Sequence, residues 1–292
     1  MARESLRVAL IEATKTLTEA GVGSPQADAE LLAAHLMGVP RTRLGLTPLV
    51  ESDWVAEYRT LIARRAERIP LQHITGVAHL GPATVRVGPG VFTPRPETEV
   101  LLAWALDAIA DVRSPVVVDL CTGSGIIAIA IAKARPDARV TGVERSSQAL
   151  SWARRNVEEH QAAGGTPIKL RGGDVLNERL LMDLEGTVDL VTVNPPYVPA
   201  DTPVEPEVSE HDPAEAVFAG PEGLDLIKPL ITVAATLLKP GGHFAMEHDD
   251  TQGDTVPKLL SGRKILADVE EHVDLNGRPR LVTARRVALA PR

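Results

Sequence analysis

The chain has 292 residues, 44% of them apolar and 24% charged, which excludes a wholly disordered or collagen-like polymer and leaves room for one large α/β unit or two unequal ones. A single cysteine, Cys121, rules out an internal disulfide and a multi-cysteine zinc site, and no apolar run nears the ~20 residues that span a bilayer. A formal charge of −8 argues against gripping nucleic-acid phosphates, and acids interrupt the apolar positions at the start of the chain where a signal peptide needs an apolar run; a cytoplasmic protein with no membrane partner is expected.

Leu6, Leu10, Ala13 and Leu17 recur at helical spacing and predict an amphipathic helix ending near Gly21. Ser24-Pro25 then reads as an N-cap with proline at the first helical position, and Gly38 as the stop after Leu31, Leu32 and Leu36. Trp54, Tyr58 and Leu61 repeat the stripe, and Arg59, Arg64, Arg65 and Arg68 lie largely off it, as a solvated face does. Residues 1–70 are thus expected to form a small helical domain. Glycines and prolines between Pro70 and Pro96 punctuate short alternating runs such as Thr84-Val85-Arg86-Val87, which predicts a hairpin-like connector over 71–94.

Residues 95–292 alternate apolar strands with helices. Strands are predicted at Val116-Val117-Val118, 140–144, 168–170, 188–193, 243–247, 269–274 and 281–285, seven in all. This pattern predicts an α/β, Rossmann-like, doubly wound and mostly parallel sheet with ligands at the strands' carboxyl ends.

Gly123-x-Gly125-x-x-Ala128 follows the first of these strands, and Glu144 stands 19 residues beyond Gly125, where an acid can hold ribose hydroxyls. The glycines let backbone approach a ligand and the next helix points its positive end there. A dinucleotide and S-adenosylmethionine both fit that loop. Asp119 favours the second, because a carboxylate repels a pyrophosphate and attracts the ammonium of a methionine moiety. Asp174, after the third strand, is placed to accept from an adenine amino group.

Asn194-Pro195-Pro196-Tyr197 is the most informative tetrapeptide. From the chain's own frequencies it arises by chance roughly once in several thousand, and it directly follows the 188–193 strand. Two prolines remove donors and stiffen the turn, so the carbonyls of Asn194 and Pro195, with the Asn194 side chain, become acceptors for the N–H bonds of a planar –NH2 group. Tyr197 offers a flat surface beside it. Held this way, an amide or exocyclic amine nitrogen can pyramidalise toward a sulfonium methyl without a strong base, so methyl transfer is implied. The strand before the elbow should neighbour the strand before the glycine loop.

These residues, with Pro70-Leu71-Gln72-His73-Ile74-Thr75-Gly76, Pro94-Arg95-Pro96-Glu97-Thr98-Glu99, Leu238-Lys239-Pro240-Gly241-Gly242, Glu247-His248 and Asn276-Gly277-Arg278-Pro279-Arg280, make the chain resemble the HemK/PrmC family of release-factor glutamine methyltransferases nearly end to end. The resemblance implies a class I S-adenosylmethionine-dependent methyltransferase domain and a helical N-terminal domain recognising class 1 peptide-chain release factors. The methyl acceptor is then the side-chain nitrogen of glutamine in their Gly-Gly-Gln motif. By position it implies that Cys121, Thr122, Gly123, Ser124 and Gly125 hold the methionine part, Glu144 the ribose, and Asp174 and Val175 the adenine. Asn194, Pro195, Pro196 and Tyr197 hold the substrate amide, with Asn194 also reaching the cofactor and Asn194, Pro195 and Tyr197 catalytic. Three departures stand out: Cys121 where glycine is common, Glu144 for aspartate, and Val175 where an aromatic side chain is often found.

The alternative with the same chemistry is a DNA adenine-N6 methyltransferase. Between Val198 and Ile227 there are eight acids (Asp201, Glu205, Glu207, Glu210, Asp212, Glu215, Glu222 and Asp225) and no Lys or Arg, a rim expected to repel phosphates. An NAD-dependent oxidoreductase leaves the elbow unexplained, and a non-catalytic binding module leaves it unused. His35, His73 and His248 are isolated in sequence and are expected to make packing or polar contacts, with no metal site.

Overall fold

A computed structural model describes residues 3–288. These fall into two compact units, one formed by the residues up to Val77 together with Glu205–His211, the other by Ala78–Val204 and the residues from Asp212 onward. No described helix is long and apolar enough to cross a membrane.

In the first unit, β1 (Arg3–Ser5) leads into α1 (Leu6–Glu19), α2 (Pro25–Met37), β2 (Leu49–Glu51), α3 (Ser52–Ala66) and α4 (Leu71–Thr75). Leu6, Ala9, Ala13 and Leu17 bury the inner stripe of α1, while Leu10 is only partly covered. The second helix stops where Gly38 turns left-handed at φ 62°, but its Ser24 makes no side-chain cap. On α3 the buried stripe is Val55, Tyr58, Ile62 and Arg65, one position on from the expected Trp54 and Leu61. Tyr58 donates to the Ala29 carbonyl at 2.8 Å, which satisfies the one polar atom that so deep a ring carries.

The solvated-face expectation fails for two arginines, Arg65 on the shifted stripe of α3 and Arg68 in the left-handed turn after it. Arg65, 7% exposed at its side chain, bonds Asp28 Oδ2 at 2.7 Å and Glu207 Oε1 at 2.6 Å. Arg68 bonds Glu207 and Glu205, both at 2.6 Å. Arg59 and Arg64 do remain exposed. Burial opposes ionisation of Glu207, yet the hydrogen bonds from Arg68 and Arg65 prevail and hold its carboxyl down at about 2. These pairs bring Glu205–His211, with the short α8 (Pro206–Ser209), into the helical unit although the segment lies far beyond residue 70.

The second unit opens with the hairpin β3 (Val77–Leu80) and β4 (Ala83–Arg86), followed by α5 (Thr98–Ala108). Instead of acting as a separate connector, the hairpin buries Ala78, Leu80, Ala83 and Val85 in this unit's core. The series continues through β5 (Val116–Leu120), α6 (Ile126–Ala134), β6 (Arg139–Glu144), α7 (Ser147–Ala162), β7 (Ile168–Gly172) and β8 (Val188–Val193). It closes with α9 (Ile227–Leu237), β9 (Leu238–Glu247), α10 (Thr255–Ser261), β10 (Leu266–Val273) and β11 (Pro279–Arg286).

Seven strands form one sheet in the order β10-β11-β9-β8-β5-β6-β7. The ladders from β9 through β7 are parallel, and β11 is antiparallel to both β9 and β10, as a mostly parallel doubly wound sheet requires. The last three strands start earlier than expected, β9 at Leu238, β10 at Leu266 and β11 at Pro279, and in β9 the added residues Lys239 to Gly242 lie at a register shift opposite β8. The sheet is covered on both faces, so β8 is buried at every position and α6 buries Ile126 through Ala132 without a polar stripe. Val117 to Leu120 of β5 pair with Leu190 to Val193 of β8, which ends the two central strands side by side where the chain order reverses.

Candidate active site

Three turns leave the carboxyl ends of β5, β6 and β8. The first runs from Cys121 to Gly125, and three of its residues have positive φ: Cys121 at 58°, Gly123 at 56° and Gly125 at 81°. Glycine adopts this conformation freely, whereas a side chain costs ~1 kcal/mol or more there, so Cys121 is held in this turn at some expense of strain. Burial and the nearby Glu144 and Asp119 charges push its thiol up, so it stays protonated. A Cβ on Gly123 meets nothing within 4 Å, so the loop borders open space there.

Asp119 differs from the expectation in how it acts. Its carboxylate is fully buried and accepts from the Thr122 hydroxyl at 2.5 Å and the Thr192 hydroxyl at 2.8 Å. It therefore clamps the glycine loop to β8 from beneath, rather than exposing a charge. Burial pushes its carboxyl up to about 6, the two threonine bonds opposing that rise.

Glu144, at the end of β6, accepts from Gly123 N–H at 2.9 Å and Ser146 N–H at 2.8 Å, which sets the glycine loop against the next turn. Asn156 braces the same loop from α7, donating to the Ser124 and Arg86 carbonyls, both at 2.9 Å. After β7, exposed Asp174 accepts from Leu176 N–H at 2.9 Å. The Val175 side chain instead points into the core with Leu120, Val143 and Leu181, so only its main chain is left for a ligand.

The elbow leaves β8 beside this loop. Loop hydrogen bonds begin at Tyr197, whose carbonyl accepts from Gln252 Nε2 at 2.9 Å; among the described residues no main-chain donor meets the Asn194 or Pro195 carbonyl. A Cβ on Gly223, at φ 70°, falls 2.0 Å from that same Tyr197 oxygen, so glycine is needed there for the elbow to keep its shape. Burial and the nearby Glu247 charge raise the Tyr197 phenol, which stays neutral. Beneath the elbow, Asn194 Nδ2 donates to Thr98 Oγ1 at 3.3 Å and Thr98 donates to Glu247 Oε2 at 2.9 Å. Thr98 and Glu247 lie in motifs quoted above, but nothing in the sequence joined them to Asn194, and Gln252, Gly223 and Thr192 carry no local signal.

Known proteins match on both units. The family model described as the PrmC N-terminal domain covers residues 8–76, and that described as the methyltransferase small domain covers 83–210. A release factor glutamine methyltransferase of Mycolicibacterium smegmatis is 49% identical over 283 residues, 97% of this chain and 98% of that protein. This chain belongs to the release factor glutamine methyltransferase family. Other members are similarly near: one from Mycobacterium tuberculosis is 47% identical over 97% of this chain and 92% of its own, and one from Streptomyces coelicolor 50% over 94% and 96%. A methyltransferase from Pyrococcus furiosus shares the fold at TM-score 0.51 and 15% identity, over 80% of this chain and 100% of that one.

In this family member the acidic rim is weaker than its composition. Glu205 and Glu207 are held by Arg68, and Glu207 also by Arg65; Asp212 is held by Arg95, and Glu222 lies 3.8 Å from Lys228. Half of the eight acids are thus paired, and charge on that segment no longer argues strongly against phosphates. His248 and His73 make polar and ring contacts: His248 bonds Glu271 at 2.9 Å, and His73 lies edge-on to His211.

Proposed function

We propose that this chain transfers a methyl group from S-adenosylmethionine to the side-chain nitrogen of glutamine in the Gly-Gly-Gln motif of class 1 release factors, the helical unit recognising that protein. The observation that carries the reading is the elbow's place beside the glycine loop, on adjacent strand ends, with no main-chain donor among the described residues on the Asn194 or Pro195 carbonyl. Membership of the family supports the same substrate.

The residues around the glycine loop suit S-adenosylmethionine: open space beside Gly123, glycines at positive φ that leave no side chain in its way, and Glu144 at the loop's edge for ribose hydroxyls. When bound, this group supplies a methyl on a positively charged sulfur. Asp119 keeps the loop in shape through Thr122, and exposed Asp174 with the main chain at Val175 would hold the adenine. Asn194 Oδ1 and the Pro195 carbonyl accept the two N–H bonds of the glutamine amide, and Tyr197 and Pro196 pack against its plane. That arrangement frees the nitrogen lone pair from conjugation as the N–H bonds bend toward their acceptors, and stabilises positive charge growing on nitrogen. The proton released afterwards leaves an extremely acidic nitrogen, so no strong base is needed.

The decisive test supplies the full chain with labelled S-adenosylmethionine, a purified release factor and duplex DNA together. Mass spectrometry should locate the methyl on the Gly-Gly-Gln glutamine; a methyl on adenine, with none on protein, would establish the DNA reading instead.

Glu144→Ala removes the acceptor for the hydroxyls and releases Gly123 N–H. Calorimetry should therefore find S-adenosylmethionine bound at least ~10-fold more weakly, since a hydrogen bond to a charged group contributes about 1.5–3 kcal/mol. An unchanged dissociation constant removes Glu144 from the site.

A further inference from the structure

Glu247 and Thr98 are buried polar residues with no part in the reaction as derived so far. Glu247 ends β9, is 2% exposed, and accepts from Thr98 Oγ1 at 2.9 and 3.3 Å. Thr98, at the first position of α5 and also 2% exposed, is the partner of Asn194 Nδ2. A hydroxyl has one proton to donate. An ionised carboxylate can only accept, so that proton is committed to Glu247 and Thr98 Oγ1 can offer Asn194 only a lone pair. The Asn194 side chain must then turn its NH2 inward, and its Oδ1 is left for an outside donor.

We infer that Glu247 and Thr98 are positioning residues for the methyl transfer, which by dictating the amide orientation of Asn194 make its side-chain oxygen an acceptor for the substrate nitrogen. The inference rests on the glutamine-methylation reading. If the pair does not do this, Asn194 can turn over and present NH2 to the substrate amide, two donors facing each other. Removing the hydroxyl takes away the inward acceptor; neutralising the carboxyl lets the hydroxyl point either way.

Ionisation of Glu247 is therefore part of the device. Burial pushes its carboxyl up to about 7; its bond with Thr98 opposes that rise, Glu97 just before α5 adds to it and Arg280 on β11 opposes it. The neutral Tyr197 phenol faces the same group. As pH falls through that value, turnover should fall because the protonated carboxyl no longer forces the hydroxyl proton toward itself.

The test uses the full chain, a purified release factor and S-adenosylmethionine, once the wild type has been found to methylate the glutamine; a wild type without that activity sinks the functional reading and not this pairing. Thr98→Val should lower kcat ~10- to 100-fold, the size expected for misplacing a positioned group, with the calorimetric Kd of S-adenosylmethionine within twofold of wild type. Thr98→Ser should restore most of the rate. Glu247→Gln, able to accept or donate, should lose several-fold in kcat at pH 8 and lack the wild-type fall in rate toward pH 6, and Thr98→Val in that background should cost no more than it does alone. The melting temperature of Glu247→Gln should match or exceed that of wild type, since no charge is then buried. Thr98→Val with wild-type kcat, failure of Thr98→Ser to rescue, or a Glu247→Gln enzyme with an unaltered acid limb each overturns the proposal.

Discussion

Asn194→Ala is expected to lower methyl transfer to the release factor by ~2–4 kcal/mol of barrier, roughly 30- to 1,000-fold in kcat. The elbow's two remaining carbonyls are main-chain atoms that the substitution leaves in place, so the loss isolates one side-chain oxygen. Its magnitude follows from timing. The bond to Asn194 Oδ1 strengthens as the nitrogen gains charge, and so acts on the transition state more than on the bound substrate. Affinity for S-adenosylmethionine should stay within twofold, because Gly123, Glu144 and the loop they set are bonded to one another and not to Asn194. Single-turnover rates with saturating release factor, beside calorimetry of the methyl donor, check both halves; turnover equal to wild type removes Asn194 from the reaction.

Arg65→Met should have the largest effect on stability, ~3–5 kcal/mol, as when one partner is taken from a buried ion pair. Asp28 and Glu207 are 12% and 11% exposed at their side chains, so each would keep a buried carboxylate with its arginine removed. Arg68 still reaches Glu207, whereas the ion pair of Asp28 is with Arg65. Denaturant unfolding of the full chain with Trp104 and Trp152 replaced by Phe, followed by the fluorescence of Trp54 beside Tyr58, reads this unit. Adding Asp28→Asn and Glu207→Gln should recover much of the loss, because the damage lies in unpaired charge more than in lost volume. The pairing also fixes the pH dependence. The Glu207 carboxyl is held down at about 2, so its contribution is complete above the ordinary value near 4.5 and is lost as pH falls from there toward 2. Arg65→Met should flatten that acid loss; a variant as stable as wild type shows that the cluster contributes nothing.

The two arginines mark a general boundary of sequence reading in this chain. A helical stripe slipped by a single residue, Val55-Tyr58-Ile62 in place of Trp54-Tyr58-Leu61, carries Arg65 inward, and apolar periodicity has no means of registering a buried charge whose partner lies 142 positions away. The acidic segment misleads for the same reason, since Glu205, Glu207 and Asp212 look unpaired only while their arginines are out of view. Asp119 was legible as a loop residue and not as a clamp, because burial and the Thr192 hydroxyl come from the neighbouring strand.

Local order along the chain was enough to determine the seven alternating strands, the glycine turn after β5 and the proline elbow after β8, since each depends on residues covalently adjacent to one another. Those signals also carried the family, because its motifs are short and contiguous. Tertiary structure alone decided which atoms of that elbow are available. The Tyr197 carbonyl is taken by Gln252, 55 positions away; the Asn194 amide is turned by Thr98, 96 away, and Thr98 is in turn committed to Glu247, 149 away. A buried polar group must find a partner wherever folding brings one within about 3 Å, and that distance is a property of packed strands and helices rather than of neighbours in sequence.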